Sequence, residues 1–161
     1  MPEYNIYQLA AQPAAKAMPK FVEMVLNTAK KRVVILCSST VEVKECDNLL
    51  WSYAQLSFMP HGTHADPYKQ EQLVYITQDL ADRANNAEVL LLYNAAAHVN
   101  HMQSLVDTVF EKVIVFIEPA HEVLMRQLTD ELAKLKITPR FFAQKPDGSW
   151  QTQQTTVRIA S

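Results

Sequence analysis

The hydrophobic pattern of the chain predicts short strands that alternate with amphipathic helices. The strand candidates are short apolar runs rich in β-branched residues. They lie at 4–9, 32–37, 72–77, 88–94, 112–118 and in the segment TPRFFAQK (138–145). The run RVVILC (32–37) is continuously apolar, as expected for a strand that is covered on both faces.

Helical spacing appears between these runs. Residues 18–31 place Phe21, Met24, Val25 and Thr28 on one face. A second helix is predicted after 38–40, where a serine or threonine can cap it, and others are predicted at about 99–111 and 119–136. The segment 55–71 is expected to be a loop because it holds prolines at 60 and 67.

Alternating strands and helices predict an α/β fold with three layers, α/β/α, around a mainly parallel central sheet. We expect one domain over 1–145, which suits a chain of 161 residues, and a polar C-terminal tail over 146–161 that is a hairpin remnant or a loose end.

Glycine content excludes the usual nucleotide sites. The chain has two glycines, Gly62 and Gly148, whereas a dinucleotide-binding motif needs three and a Walker A loop needs two before Lys-Ser/Thr. Those glycines let backbone amides approach phosphate closely. We therefore expect neither motif, whatever the fold.

Charge and cysteine content indicate which partners and which cellular compartment to expect. The net charge of −2 argues against direct nucleic-acid binding. The N-terminus lacks the pattern of a secretory signal, and no apolar run approaches the roughly 18 residues of a membrane span. The two cysteines, Cys37 and Cys46, fit no disulfide framework, so we expect a reducing cytoplasm.

Two histidine pairs have a spacing of three, His61 with His64 in HGTH, and His98 with His101 in HVNH. Zinc needs three or four ligands, and no further ligand pattern accompanies either pair. We favour loop or surface histidines that bond to backbone or water over a metal site.

Cys37-Ser38-Ser39 follows a predicted central strand, at the place where open α/β sheets bind ligands. A buried cysteine followed by a helix cap is favoured over a nucleophile. The alternative is a small α/β hydrolase or transferase, or a nucleotide-binding regulator, that uses Cys37 and Ser38 at the strand ends.

Two surfaces stay open on pattern alone. Arg126, Asp130 and Lys134 form a charged stripe that is either a row of i,i+4 ion pairs or, with Lys136 and Arg140, a basic surface for an acidic partner. The large apolar residues in 51–60 either pack on the core or form an exposed binding patch.

The segment NLLWSYAQLSFMPHG (48–62) resembles the chi subunit of bacterial DNA polymerase III holoenzyme, and the pattern W……F.PH is its most specific part. IYQL, KKRVVILC and QLTDELAKLKITPRF match in the same order, so that the resemblance covers roughly 4–142.

The resemblance implies a non-catalytic accessory subunit with a nucleotide-binding-like fold that has no nucleotide site, cofactor or metal. It implies binding to the psi subunit of the clamp-loader complex, to the C-terminal tail of single-stranded DNA-binding protein and, in some bacteria, to a repair helicase. The chain would be a monomer alone and a heterodimer with psi. Trp51, Phe58, Pro60 and His61 fall on the motif of the psi or helicase face.

The tail-binding face of the family lies on the last long helix. Arg126 and Lys134 keep its basic character, whereas Asp130 replaces an expected basic residue and Ala133 an expected aromatic one. Asp130 would pair internally with Arg126 and Lys134. The resemblance leaves tail binding weakened, shifted toward Lys136 and Arg140, or absent.

Overall fold

The computed structural model describes residues 2–10, 13–53, 61–106, 109–119, 121–147 and 149–153. The strands within these ranges are β1 Glu3–Gln8, β2 Val33–Leu36, β3 His61–Thr63, β4 Val74–Thr77, β5 Val89–Leu92, β6 Lys112–Ile117, β7 Arg140–Gln144 and β8 Trp150–Gln153. The helices are α1 Ala14–Met24, which continues as a π-helix over Val25–Ala29, α2 Thr40–Tyr53, α3 Ala95–His98, α4 Met102–Val106 and α5 Glu122–Lys134. Short 3₁₀ turns lie at Lys69–Glu71 and Val99–His101.

The described strands form one sheet of eight in the order β3-β4-β2-β5-β6-β1-β7-β8. Neighbours from β3 to β7 pair in parallel, and only the β7–β8 pair is antiparallel. The prediction of a mainly parallel sheet is confirmed. Strand β2 lies between β4 and β5, where the order of the chain through the sheet reverses.

Helices cover both faces of the sheet, which confirms the three-layer prediction. On one face, Phe21 of α1 and Leu50 of α2 belong to a buried cluster with Ile35 of β2. On the other face, Met102 of α4 and Leu128 of α5 pack in a second cluster. Because both faces are covered, the central strands are apolar throughout.

Three helix boundaries differ from the predicted ones. Helix α1 begins at Ala14, because the alanines after Pro13 continue the helix that the sequence placed from residue 18. The helix predicted at 99–111 is instead the series α3, 3₁₀ turn and α4, from Ala95 to Val106. Helix α5 is shorter than predicted and spans Glu122–Lys134.

The loop prediction for 55–71 is wrong at His61–Thr63, whereas residues 64–68 lie in turns as expected. His61–Thr63 form the edge strand β3, parallel to β4, and Lys69–Glu71 form a 3₁₀ turn. Gly62 permits this path, since a Cβ there would lie 2.7 Å from Asp66 Oδ2. A strand of three residues with a central glycine carries almost no pattern of its own.

The described part of the C-terminal segment forms a hairpin with β7. Lys145 N–H donates to the Ser149 carbonyl at 2.7 Å, and β8 follows at Trp150. The Trp150 ring lies edge-on to Tyr7, with 5.0 Å between the ring centroids. The aromatic cluster around Tyr7 thus extends to residue 150 of the chain.

Candidate functional site

Trp51 is an exposed aromatic residue in the last turn of α2. This helix turns Val43, Cys46 and Leu50 toward the sheet, which leaves Trp51 on the outer side with 60% of its surface exposed. Of the residues that the sequence grouped with it, Phe58 and Pro60 lie outside the described residues. Trp51 lies at the surface next to strand β3.

His61 lies beneath Trp51 and is only 7% exposed. The two rings meet edge to face with 4.8 Å between centroids. His61 Nε2 lies 3.2 Å from Asp47 Oδ1, one helical turn before Trp51. The expectation of a loop or surface histidine is wrong for His61, which instead ties the end of α2 to the sheet edge.

Asp66, two residues after His64, has structural contacts. Asp66 Oδ1 accepts from the Tyr68 N–H at 2.7 Å, and Asp66 Oδ2 accepts from Gln72 Nε2 at 3.3 Å. This is an Asx turn, which orders the chain between β3 and β4. No group of three or more metal-ligating side chains occurs among the described residues.

Cys37 and Cys46 are both buried, with their sulfur atoms 3.7 Å apart. The hydrogen bond with Cys37 and burial raise the pKa of the Cys46 thiol. Ser39 Oγ accepts from the Glu42 N–H at 3.2 Å, so Ser39 is the helix cap. The favoured interpretation, a buried cysteine followed by a cap, is confirmed.

Glu42 occupies the crevice between the carboxyl ends of β2 and β5, where the strand order reverses. Its carboxylate accepts from the Ser38 N–H at 2.8 Å and from Asn94 Nδ2 at 2.9 Å. Burial works to raise the pKa of Glu42, but these hydrogen bonds outweigh it and the pKa is lowered. A side-chain carboxylate thus stands at the helix N-terminus where α/β folds bind phosphate.

The outer side of α5 is charged, as predicted. Arg126, Asp130 and Lys134 are all exposed, while Leu128 and Leu132 are buried. The prediction that Asp130 pairs with Arg126 and Lys134 is wrong. Lys134 Nζ lies 3.0 Å from Glu131 Oε1, and neither Arg126 nor Asp130 forms an ion pair with another described residue.

Three of the four predicted basic residues, Lys134, Lys136 and Arg140, lie at or just after the end of α5. Lys136 adopts a left-handed φ of 61° just after the helix, and Arg140 begins β7. Lys134 belongs to the last helical turn, whereas Arg126 lies eight residues earlier, about 12 Å along the axis. Arg140 forms an ion pair with Glu3, in which Nη1 lies 3.6 Å from Oε1.

Comparisons with known proteins show the family to which this chain belongs. The family model described as "DNA polymerase III chi subunit, HolC" matches residues 1–130. The chain belongs to the chi-subunit family of DNA polymerase III. A relative from Rickettsia prowazekii (strain Madrid E) is named as a probable DNA polymerase III subunit chi. It is 27% identical over an alignment of 161 positions, which covers 93% of this chain and 91% of the relative.

Solved structures show which fold this chi-family chain shares. One is domain 2 of the DEAD-box helicase Mss116p bound to an RNA duplex, with a TM-score of 0.54 and 12% identity over 89% of this chain and 64% of that one. Another is a chain from the crystal structure of the E. coli DEAD-box protein SrmB bound to regulator of ribonuclease activity A, with a TM-score of 0.54 and 13% identity over 91% and 93%. At these identities the likeness concerns the fold alone.

Two contacts of the chi-family chain were missed at the sequence level. The sequence predicted a serine cap but not that the Glu42 carboxylate accepts from Ser38 and Asn94, although Ser39-x-x-Glu42 has the spacing of a capping box. Asp47 gave no comparable signal, because its contact with His61 depends on where β3 joins the sheet.

Among the described residues, every helix is too short or too polar to span a membrane.

Proposed function

We propose that this chain is a non-catalytic accessory subunit that links the psi subunit of the clamp-loader complex to the acidic C-terminal tail of single-stranded DNA-binding protein. The exposed and buttressed Trp51 carries the proposal. A tryptophan that is 60% exposed and packs against a buried histidine is typical of a protein-binding anchor.

We assign Trp51 to the psi face together with the motif residues Phe58 and Pro60, and His61 supports Trp51 from below. A fixed aromatic side chain loses little conformational entropy when a partner covers it. A repair helicase that uses the same face would compete with psi for Trp51. The two complexes would then be alternatives rather than parts of one assembly.

The proposed tail face is the basic end of α5, with Lys134 in its last turn, Lys136 just after it and Arg126 two turns earlier. These side chains are exposed and would attract an acidic peptide. Asp130 is also exposed and lies between Arg126 and Lys134, where it would repel the same peptide. We therefore propose micromolar, salt-sensitive binding that is shifted toward the end of α5, where Lys134, Lys136 and Arg140 follow one another along the chain.

The two faces lie on opposite sides of the sheet. Helix α2 packs in the cluster with α1, and α5 packs in the other cluster with α4. A partner on Trp51 and a peptide on α5 would therefore not collide. This arrangement supports simultaneous binding, which a linking subunit requires.

Calorimetric titration with the psi subunit of the same organism tests the first face. Trp51→Ala should weaken psi binding by about 2 kcal/mol, or roughly thirtyfold. Val41→Ala is the matched control, because Val41 is exposed at the other end of α2. Equal psi affinity of the wild type and Trp51→Ala would contradict the proposed face.

Fluorescence anisotropy with a labelled tail peptide of the same organism's single-stranded DNA-binding protein tests the second face. Binding should weaken as salt rises, and Lys134→Glu should abolish it at physiological ionic strength. Lys44→Glu makes the same charge change on exposed α2 and should leave the affinity within about twofold. Equal losses in both variants would mean that net charge, rather than this site, governs binding.

A further inference from the structure

Asp47 and Trp51 lie side by side on helix α2, four residues apart. Side chains at this spacing are neighbours on a helix surface, with about 5–6 Å between their Cβ atoms. Asp47 has 34% of its side chain exposed, and Trp51 is 60% exposed. A carboxylate and an open indole ring therefore share one surface at the end of α2.

His61 contacts both residues from the buried side. Its ring meets the Trp51 ring with 4.8 Å between centroids, and its Nε2 lies 3.2 Å from Asp47 Oδ1. Only 1% of the His61 side chain is exposed, so a partner meets almost none of it. Because both exposed groups contact the same buried ring, their positions relative to one another are fixed before a partner arrives.

The Asp47 carboxylate gives this surface a negative charge beside the aromatic ring. No lysine or arginine among the described residues forms an ion pair with it. Lys44 is exposed three residues earlier without pairing with Asp47, and it lies about 10 Å from Trp51 along the helix axis. An acidic side chain of a partner would be repelled at Trp51, and a basic one would be attracted.

Arginine is the side chain that satisfies both groups at once. Its planar guanidinium stacks on aromatic faces, and tryptophan is the ring that attracts a cation most strongly. The edge of the same guanidinium donates charge-assisted hydrogen bonds to a carboxylate. Arginine and tryptophan are also enriched among the residues that dominate the binding energy of protein interfaces.

We propose that Asp47 and Trp51 form a clamp for an arginine of the psi subunit, which stacks on Trp51 and donates to Asp47. This inference rests on the proposed psi face and names the side-chain chemistry that the face selects. It adds Asp47, which lies outside the motif that selected Trp51 and His61. Psi binding should then depend on salt, which a purely apolar anchor would not require.

The experiment is a calorimetric titration of the full chain with the psi subunit of the same organism, at low and at high salt. Asp47→Asn should weaken psi binding about tenfold and reduce its salt dependence, since the charge is lost. The new side chain keeps an oxygen that can face His61, so the support of Trp51 is retained. Glu45→Gln makes the same charge change at an exposed position on α2 and should leave the affinity within about twofold.

An arginine scan of psi identifies the partner residue. Each psi arginine is changed to glutamine, and every variant is titrated with the wild-type chain and with Asp47→Asn, which completes a double-mutant cycle. One change should cost about tenfold in affinity with the wild type but less than about twofold with Asp47→Asn.

The two possible failures are distinguishable. If no psi arginine is coupled to Asp47 while Trp51→Ala still weakens psi binding, the clamp is overturned and the psi face stands. If psi does not bind the wild-type chain at all, the psi face and the clamp are both overturned.

Discussion

The imidazole of His61 supports the indole of Trp51 with 4.8 Å between ring centroids and an interplanar angle of 64°. The two residues belong to different elements, the edge strand β3 and the end of helix α2. Trp51 is exposed while His61 is buried, so a partner that covers Trp51 would touch little of His61. The orientation of the proposed anchor is therefore set by a residue that lies behind it.

This relationship predicts that His61→Ala weakens psi binding although His61 lies below the surface. The single variants and the double variant with Trp51→Ala should show a coupling of about 0.5–1.5 kcal/mol, the range of an aromatic pair. Calorimetry measures all four affinities. His64→Ala, at an exposed position in the same segment, should bind normally. Strict additivity would mean that His61 does not position Trp51.

Glu42 predicts a pH-dependent contribution to stability. Because its pKa is lowered in the folded chain, the stabilisation is present at neutral pH and is lost as pH falls below the ordinary glutamate range, about 4.3. Glu42→Gln should reduce the free energy of unfolding by about 1 kcal/mol at pH 7. Urea unfolding should show this difference shrinking by pH 4. Glu71→Gln, at an exposed position, should show no such pH dependence.

The buried cysteine pair predicts slow thiol chemistry. Both thiols are shielded, and the pKa of Cys46 is raised by its hydrogen bond with Cys37 and by burial. Ellman's reagent at pH 8 should therefore label the native chain roughly a hundredfold more slowly than the urea-unfolded chain. Cys37→Ala and Cys46→Ala assign the signals to each thiol. Rapid native labelling of Cys37 would instead favour the hydrolase or transferase interpretation.

Asp130 predicts a gain of function. Asp130→Lys removes the exposed acid between Arg126 and Lys134, and it should tighten binding of the acidic tail peptide by about tenfold at low salt. The affinity should also fall more steeply with added salt. Anisotropy titrations at two salt concentrations measure both effects. Glu71→Lys makes the same charge change elsewhere, and an equal gain there would remove Asp130 from the tail site.

The fold was predictable where the pattern is dense. The run Val33–Leu36 is buried along its whole length, so its apolar sequence alone identified a central strand. Strand β3 was not predictable in this way. It consists of His61, Gly62 and Thr63 and is held by backbone pairing with β4, in which His61 pairs with Val74.

The candidate site was predictable in its residues but not in its contacts. The motif selected Trp51 and His61, yet only the meeting of α2 with the sheet edge shows that one is exposed and the other buried. The pairing of Arg140 with Glu3 joins strands β7 and β1, which lie far apart in the sequence, and no local spacing predicts it. Long-range contacts of this kind decide which charges stay available to a partner.

The carboxylate of Glu42 has a consequence for regulation. ATP and GTP carry phosphates that would meet a negative charge in the crevice between β2 and β5, and Ser38 and Asn94 already bond to that charge. We therefore expect that this crevice does not bind nucleoside triphosphates. Partner binding by this chain should therefore not change when ATP or GTP is added.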